Sequence, residues 1–312
     1  MAISAHSSLY LLYPLCVLGG CCLPFIRGPS RAIWWRIATG DEERITVSSF
    51  EGTVGPLSYA LGYLLFGLLT LAFGSLIAFT FTGILLIGGA SAIVGLVSAK
   101  PIVSTDEMQT PASRPHAHFL AILKNRTLAT VLLINFCVFC VHGLLQVSLV
   151  ARTGGSDASL LIALLLFSTF AYGLFWGGHA HPRSPESELM RTMFPYLVGA
   201  LLLAAGGPIW LLLIALLFHG ATRSPIFTYT YHLSAAYARA RQRTEAVAWN
   251  GSVIWAGTAV GKTIGGVIAT GVGHSEIMFA AIPFAVIALA AAATLRGHGE
   301  RRREQLLAEV AL

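Results

Sequence analysis

Three polar side chains lie at helical spacing within one apolar run of the sequence. Asn135, His142 and Gln146 stand at positions i, i+7 and i+11, a spacing that places them on one face of a helix. Amide and imidazole groups on such a face can contact a ligand, or they can hydrogen-bond to neighbouring helices without one. An unpaired polar group in apolar surroundings costs free energy, so both interpretations predict a face that points into a polar interior.

Three charged residues also lie within apolar runs. Glu51 can carry a proton, or it can pair with an arginine of the preceding loop. Arg223 can bind an anion, pair with Glu51, or extend toward the nearer surface. Lys262 can contribute to an internal cavity or extend to the opposite surface. Charge inside an apolar segment is expensive, so each residue is a candidate for function. Weaker polar and aromatic candidates are Asn250, Tyr229, Trp255 and His219.

Residues that suit a metal or a covalent reaction are sparse. Cys137 and Cys140 form C-x-x-C inside an apolar run, where small apolar packing is the alternative to a metal or redox role. His179 and His181 form a loop pair that can bind a metal or simply be polar. The sequence has no G-x-x-x-x-G-K-[ST] phosphate loop and no nucleophile–base set. We therefore predict neither an enzyme nor a cofactor, and no metal site.

Composition shows what must position these residues. Hydrophobic residues make up 55% of the 312 positions and charged residues 11%, against about 25% charged in soluble domains. Much of the chain must therefore be solvated by lipid, where only helices or closed barrels can pair every backbone polar group. Barrel strands alternate apolar and polar residues, whereas the runs here are continuously apolar. The expected fold class is an all-α integral membrane protein.

Nine apolar runs are long enough to span a bilayer, which takes about 20 residues each. They cover residues 8–26, 46–72, 74–98, 127–150, 156–178, 189–206, 208–234, 245–271 and 275–295. Glycine-rich links at 74–75, 206–208 and 271–274 predict tight turns between some of them.

Basic residues predict the orientation of these spans. Seventeen of the 20 lysines and arginines fall in alternate loops and the carboxyl-terminal tail, all on one side. Under the positive-inside rule that side is the cytoplasm, so the amino terminus lies outside and the carboxyl terminus inside the cell inner membrane. Because topology accounts for the net charge of +6, the expected partner of the surface is the lipid bilayer, and no nucleic acid is expected.

A weak internal repeat relates spans six apart. With an offset of 199 residues, Arg44 aligns with Arg243, Gly62 with Gly261, and Tyr63 with Lys262. Spans separated by an even number point the same way, so the repeat is parallel, with its axis along the membrane normal. The glycines of these helices are expected to allow close helix packing and sliding; they are Gly52, Gly55, Gly62, Gly257, Gly261 and Gly265.

Three segments resemble the major facilitator superfamily. Residues 24–52 resemble the cytoplasmic link between the fourth and fifth helices of bacterial members. Gly52-x-x-Gly55-Pro56 with Gly62 is similar to the fifth-helix motif of that family's proton-coupled drug antiporters, and residues 243–266 resemble its eleventh helix. The resemblance implies a partial facilitator fold, in which the helix carrying Asn135, His142 and Gln146 is the family's seventh and borders the substrate cavity.

The resemblance also implies domain boundaries and a function. Residues 1–98 would be three helices of the amino-terminal half, 99–126 the central loop, 127–296 the complete carboxyl-terminal half, and 297–312 a cytoplasmic tail. The implied function is a permease that exports a small-molecule solute, coupled to protons. The family's first three helices and its Gly/Asp/Arg loop have no counterpart here. The alternative is therefore a truncated, transport-inactive fragment or paralogue, and we expect little transport by the chain as written.

Overall fold

The computed structural model describes residues 41–99, 124–177, 184–238, 242–273 and 276–310. These residues form α-helices and one short 3-10 segment, and no strand occurs within those ranges. The helices are α1 (Asp41–Phe73), α2 (Ser75–Ala99), α3 (Arg126–Thr153), α4 (Gly155–Gly177), α5 (Pro185–Ala205), α6 (Ile209–Tyr237), α7 (Arg243–Gly271) and α8 (Ala281–Val310), with the 3-10 segment at Ile277–Ala280.

Each of the eight described helices is long and apolar enough to cross a membrane. They correspond to the second to ninth predicted spans, and the first predicted span, 8–26, lies outside the described residues. The exposed surface of α2 is that of a lipid-facing helix, since Ile84 and Ile87 are 62% and 70% exposed. The prediction of an all-α membrane-embedded chain is confirmed for the described part.

Local sequence signals explain where helices begin and turn. At the start of α3, the Asn125 side-chain oxygen accepts the N–H of Leu128, and its amide nitrogen donates to the Tyr237 carbonyl at 3.0 Å. This cap therefore also joins α3 to the end of α6. Between consecutive helices, Gly74 and Gly154 adopt φ values of 85° and 84°, which glycine tolerates far better than other residues. Positive φ values occur in the described part of each glycine-rich link predicted from the sequence, at Gly74, Gly206 and Gly273, and Gly154 adds a turn that was not predicted.

Helix α3 is the centre of the main bundle. It packs against α4, α6, α7 and α8, while α6 also packs against α4, α5 and α7. Residues 49–67 of α1 belong to the same compact unit as the helices from α3 onward, whereas residues 68–99 belong to another unit. In the apolar 18-residue window of α3, 78% of the residues are buried. Their side chains form the core around which any interior site must be built.

The contact between α3 and α7 depends on glycine. A Cβ atom built at Gly257 would collide with the Phe136 carbonyl, and one at Gly261 with the Cys140 carbonyl. From the other side, a Cβ at Gly143 would meet the Thr258 carbonyl. The backbones of the two helices therefore touch directly, and this close approach brings α7 against the polar face of α3.

The glycines of α1 differ from their repeat partners. A Cβ built at Gly55 or Gly62 meets no described atom within 4 Å, whereas Gly261, the repeat partner of Gly62, lies against α3. Close packing at Gly55 and Gly62, predicted from the sequence, is therefore not found among the described helices. The side-chain position of Gly52 lies outside the described residues. The 199-residue repeat is not supported by the packing of this glycine pair.

Candidate functional site

The polar face of α3 points into the bundle. Asn135, His142 and Gln146 are 0%, 7% and 8% exposed, as the amphipathic spacing predicted. Each meets polar groups from other helices or from α3 itself. The three residues divide into two separate networks, because Asn135 lies about 10 Å along the helix axis from His142.

The first network joins three helices through amides. The Asn135 Nδ2 donates to Asn250 Oδ1 of α7, and the Thr230 hydroxyl of α6 donates to Asn135 Oδ1 at 3.1 Å. All three residues are fully buried. Asn250 Nδ2 has no hydrogen-bond partner in the described structure. The network connects α3, α6 and α7 at one level. A shift of any one of these helices would therefore break or strain hydrogen bonds to the other two.

The second network brings α1 to the same face. Gln146 Nε2 lies 3.2 Å from the Tyr63 hydroxyl and 3.0 Å from His142 Nε2. The Gln146 amide donates to the tyrosine oxygen, and it donates to the imidazole where His142 Nε2 is unprotonated. Tyr63 was noticed in the sequence only as the repeat partner of Lys262. The contact therefore adds a residue to the site that spacing on α3 alone did not identify.

Arg223 places a cation at the middle of α6. Fourteen residues separate it from each end of the helix, or about 21 Å of helix on either side. The residue is only 8% exposed, and its guanidinium carbon lies 5.3 Å from the centre of the Phe139 ring on α3. Of the alternatives open in the sequence, extension to the membrane surface does not fit this buried, central position.

The hydrogen bonding of Arg223 is incomplete. Its Nε and Nη1 atoms are buried and have no hydrogen-bond partner among the described residues. The ring of Phe139 offers an electrostatic contact to a cation but no lone pair to accept these N–H groups. Arg223 also lies close enough to Tyr63 and Tyr196 for electrostatic interaction. The guanidinium therefore lies near aromatic residues, and its Nε and Nη1 atoms remain able to donate hydrogen bonds.

Two histidines flank this arginine. His219 is fully buried one turn earlier on α6, and neither ring nitrogen has a partner in the described structure. Its ring packs on Tyr196, with centroids 4.5 Å apart, and the Tyr196 hydroxyl donates to the Val138 carbonyl at 3.0 Å. His142 also leaves Nδ1 unpartnered. Three buried imidazole nitrogens near Arg223 are therefore without a hydrogen-bond partner among the described residues.

Lys262 approaches the same region from α7. Its backbone nitrogen lies beside Gly143, its side chain is exposed, and its charge is close enough to act on His142. Tyr63 and Lys262, which the repeat aligns, therefore both approach the His142–Gln146 part of α3. The pair agrees with the repeat where Gly62 and Gly261 do not.

Other residues singled out in the sequence lie elsewhere. The side chain of Glu51 and the pair His179 and His181 are outside the described residues. Cys137 and Cys140 are buried with free thiols and pack within the α3 core. Within the described ranges there is no cluster of three or more histidine, cysteine or acidic residues arranged to hold a metal. Trp255 is exposed on α7.

A shallow cavity of about 200 Å³ lies between α4, α5 and α6. Tyr172 and Trp176 line one wall and Arg191 another. Arg191 pairs at 3.6 Å with Glu188 on its own helix, while Trp176 Nε1 donates to the Tyr229 hydroxyl at 3.3 Å. This cavity is lined by Thr222 and Pro225 on α6, the neighbours of Arg223 rather than Arg223 itself. It is a separate feature from the central polar cluster.

Sequence reasoning missed the aromatic members of the central cluster. Phe139 and Tyr196 lie in apolar runs full of similar residues, and no spacing distinguishes them before the helices are assembled. Arg223 and the stripe on α3 were identifiable because charge and polarity are rare inside apolar helices. Comparison of the sequence with protein-family models finds no match, and comparison with curated proteins finds no significant match.

Proposed function

We propose that this chain is a secondary-transporter-type permease of the major facilitator kind, which exports a small organic solute across the cell inner membrane in exchange for protons. The observation that carries the proposal is the buried polar cluster of Arg223, His142, Gln146 and Tyr63. These side chains come from α1, α3 and α6 and converge inside a bundle of apolar helices.

The energetic cost of this cluster supports a transport role. A charged side chain at the centre of a membrane helix costs about 2.5–3.5 kcal/mol on insertion scales. Arg223 is not offset by an acidic partner among the described side chains, and two of its donor atoms are unpartnered. A purely structural core would do better with apolar residues. A solute site near the bilayer midplane, reached from alternate sides, uses such groups directly.

Proton coupling requires an ionisable group that changes protonation during the cycle. Glu51 lies within an apolar run, which makes it a candidate proton carrier, and it belongs to α1, the helix that also carries Tyr63 of the cluster. We assign Glu51 the coupling role in this proposal. The glycine contact between α3 and α7 supplies smooth surfaces along which two helices can shift between inward-open and outward-open states.

Transport in proteoliposomes tests the proposal. The purified chain is reconstituted with an imposed proton gradient, and movement of ethidium, tetraphenylphosphonium and benzenesulfonate is followed. The permease proposal requires gradient-driven accumulation of at least one solute, abolished by a protonophore and by Glu51→Gln, whereas the transport-inactive alternative requires none. Glu245→Gln is the matched control, because it removes an acidic group from the first turn of α7 and should leave transport unchanged.

Two results would contradict this function. Absence of gradient-driven movement for every solute would favour the transport-inactive alternative. Equal transport by Glu51→Gln and the unmodified protein would remove Glu51 as the coupling residue. Fluorescence-detected size-exclusion chromatography of each variant separates loss of transport from loss of folding.

A further inference from the structure

We infer that the centre of the bundle binds a small organic anion, whose acidic group pairs with the Arg223 guanidinium while its apolar body lies against Phe139. The inference rests on the proposed function and names the solute class that the site would take. It starts from the Arg223 guanidinium, which is buried with two unpartnered nitrogens and has no acidic partner among the described side chains.

The charges near Arg223 are those of bases. His142 and His219 are both near enough for Arg223 to act on them electrostatically, and Lys262 acts on His142 from α7. The hydroxyls of Tyr63 and Tyr196 are the other titratable groups facing Arg223. Burial disfavours the charged form of both imidazoles, so an occupant with negative charge would be stabilised by the Arg223 guanidinium and, at longer range, by Lys262.

The acidic residues whose side chains are described are occupied or lie in terminal turns. Glu186 accepts the Tyr237 hydroxyl at 2.6 Å, and Glu188 pairs with Arg191 at 3.6 Å. Asp157 and Glu245 lie in the first turns of α4 and α7, and the exposed Glu276 precedes the 3-10 segment, whereas Arg223 is at the middle of α6. None of these carboxylates supplies the charge that the guanidinium lacks.

The unpartnered atoms define which acidic group fits. The Arg223 Nε and Nη1 atoms are both without a partner among the described residues, and each forms one edge of the planar guanidinium together with Nη2. Either edge matches the two oxygens of a carboxylate or sulfonate, which arginine binds in a bidentate manner. A halide or a neutral carbonyl would accept well from only one donor of an edge.

The walls of the site indicate the rest of the ligand. The Phe139 ring lies 5.3 Å below the guanidinium, and Phe227 packs edge-on against it with centroids 6.4 Å apart. Arg223, His142 and Gln146 keep 7–8% exposure, whereas His219 has none. Tyr63, which Gln146 contacts, is the more exposed member of the cluster, so we place the entrance beside these two residues. A flat apolar group entering there would rest on aromatic surface.

Binding to the intact chain in detergent tests this inference without requiring transport. Three probes of similar size differ in charge: benzenesulfonate, benzyl alcohol and phenyltrimethylammonium. Isothermal titration calorimetry should show saturable binding of benzenesulfonate, and at least tenfold weaker binding of the neutral and cationic probes. Equal binding of all three, or preference for the cation, would overturn the inference.

Variants locate the site. Arg223→Gln should weaken benzenesulfonate binding at least tenfold, and Arg223→Lys should retain part of it because the charge remains but the bidentate edge is lost. Arg191→Gln, an exposed arginine on α5, should bind as the unmodified protein does. If Arg223→Gln does not fold, Arg223→Lys and the three-probe series still decide. Undiminished binding by Arg223→Lys together with loss in Arg191→Gln would place the anion elsewhere.

The outcomes separate this inference from the proposed function. Gradient-driven transport of ethidium with no anion binding would reject the anion site and leave the permease proposal standing. Anion binding that depends on Arg223, with no transport of any solute, would support the anion site and reject the permease proposal.

Discussion

Buried amides in this bundle act as fixed points between helices. Asn135 is bonded to both Asn250 and Thr230, so one side chain links three helices. Interhelical hydrogen bonds in membranes contribute modestly, about 0.6 kcal/mol on average and about 1.7 at most, because polar groups also find partners when helices separate. Such a bond therefore selects one alignment of helices more than it adds stability.

The residue-scale prediction is an energetic coupling between Asn135 and Asn250. In a double-mutant cycle with Asn135→Ala and Asn250→Ala, we expect a coupling of about 0.6–1.7 kcal/mol, measured by unfolding in mixed micelles with increasing dodecyl sulfate. Ser159 provides the control because its hydroxyl donates within its own helix, to Gly155. Asn135→Ala and Ser159→Ala should be additive, and additivity of the two asparagine variants would show that their contact is not formed in the membrane protein.

A site residue could be identified from the sequence when its side chain differs in polarity from its apolar neighbours. The stripe of Asn135, His142 and Gln146 and the charge of Arg223 stand out against apolar neighbours, so their burial could be anticipated. Tyr63 could not be assigned to Gln146, because the contact depends on how α1 lies against α3, at a separation of 83 residues. Phe139 could not be distinguished in the sequence from other apolar residues, since its role arises from the Arg223 guanidinium that lies over its ring.

At the scale of elements, α3 and α7 are held by backbone contact. Gly257 and Gly261 are spaced by four residues and face the carbonyls of Phe136 and Cys140. This spacing puts both glycines on one face of α7, and small residues on such faces are how membrane helices approach closely. The sequence predicted this role for the glycines of both α1 and α7, but it could not tell which of them have a partner. Packing against a neighbour is a tertiary property.

Two glycines of α7 that lie five residues apart, Gly261 and Gly266, should respond differently to substitution. Gly261→Ala should destabilise the bundle by about 1–3 kcal/mol, because overpacking forces the helices apart. Gly266→Ala should be near neutral, since a Cβ there meets no described atom within 4 Å. Thermal denaturation followed by tryptophan fluorescence measures both. A Gly266→Ala variant as unstable as Gly261→Ala would mean that helix propensity or lipid contact, and not the α3–α7 approach, controls stability.

At the scale of the whole molecule, composition and apolar run length determined the fold class. Eight predicted spans reappear as described helices, because hydrophobic length is a local property of the chain. Most boundaries shift by a few residues, but α8 continues to Val310, well past the predicted end at residue 295. The arrangement of those helices is different in kind. It depends on contacts such as Asn125 with Tyr237, 112 residues away, which no run of residues encodes by itself. The parallel repeat is supported by Tyr63 and Lys262, which both approach α3, but not by Gly62 and Gly261, of which only Gly261 is closely packed.

Orientation in the membrane is the remaining property of the whole molecule, and the charge pattern predicts it. Basic residues cluster in loops on one side, and the link between α3 and α4 lies on the other with Arg152 nearby. Asp157 in the first turn of α4 should therefore face the cell exterior, and Ser187 in the first turn of α5 should face the cytoplasm.

Thiol labelling in intact cells checks this orientation. Asp157→Cys and Ser187→Cys are introduced separately into a variant whose five native cysteines are replaced by serine or alanine. A membrane-impermeant maleimide should label Asp157→Cys directly and Ser187→Cys only after permeabilisation, because α4 spans the bilayer between the two positions. The reverse pattern would invert the topology, and it would place the Gln146 and Tyr63 side of the cluster on the cytoplasmic half. Labelling of both positions in intact cells would show that α4 does not cross the membrane, in contradiction to the assignment of the described helices as spans.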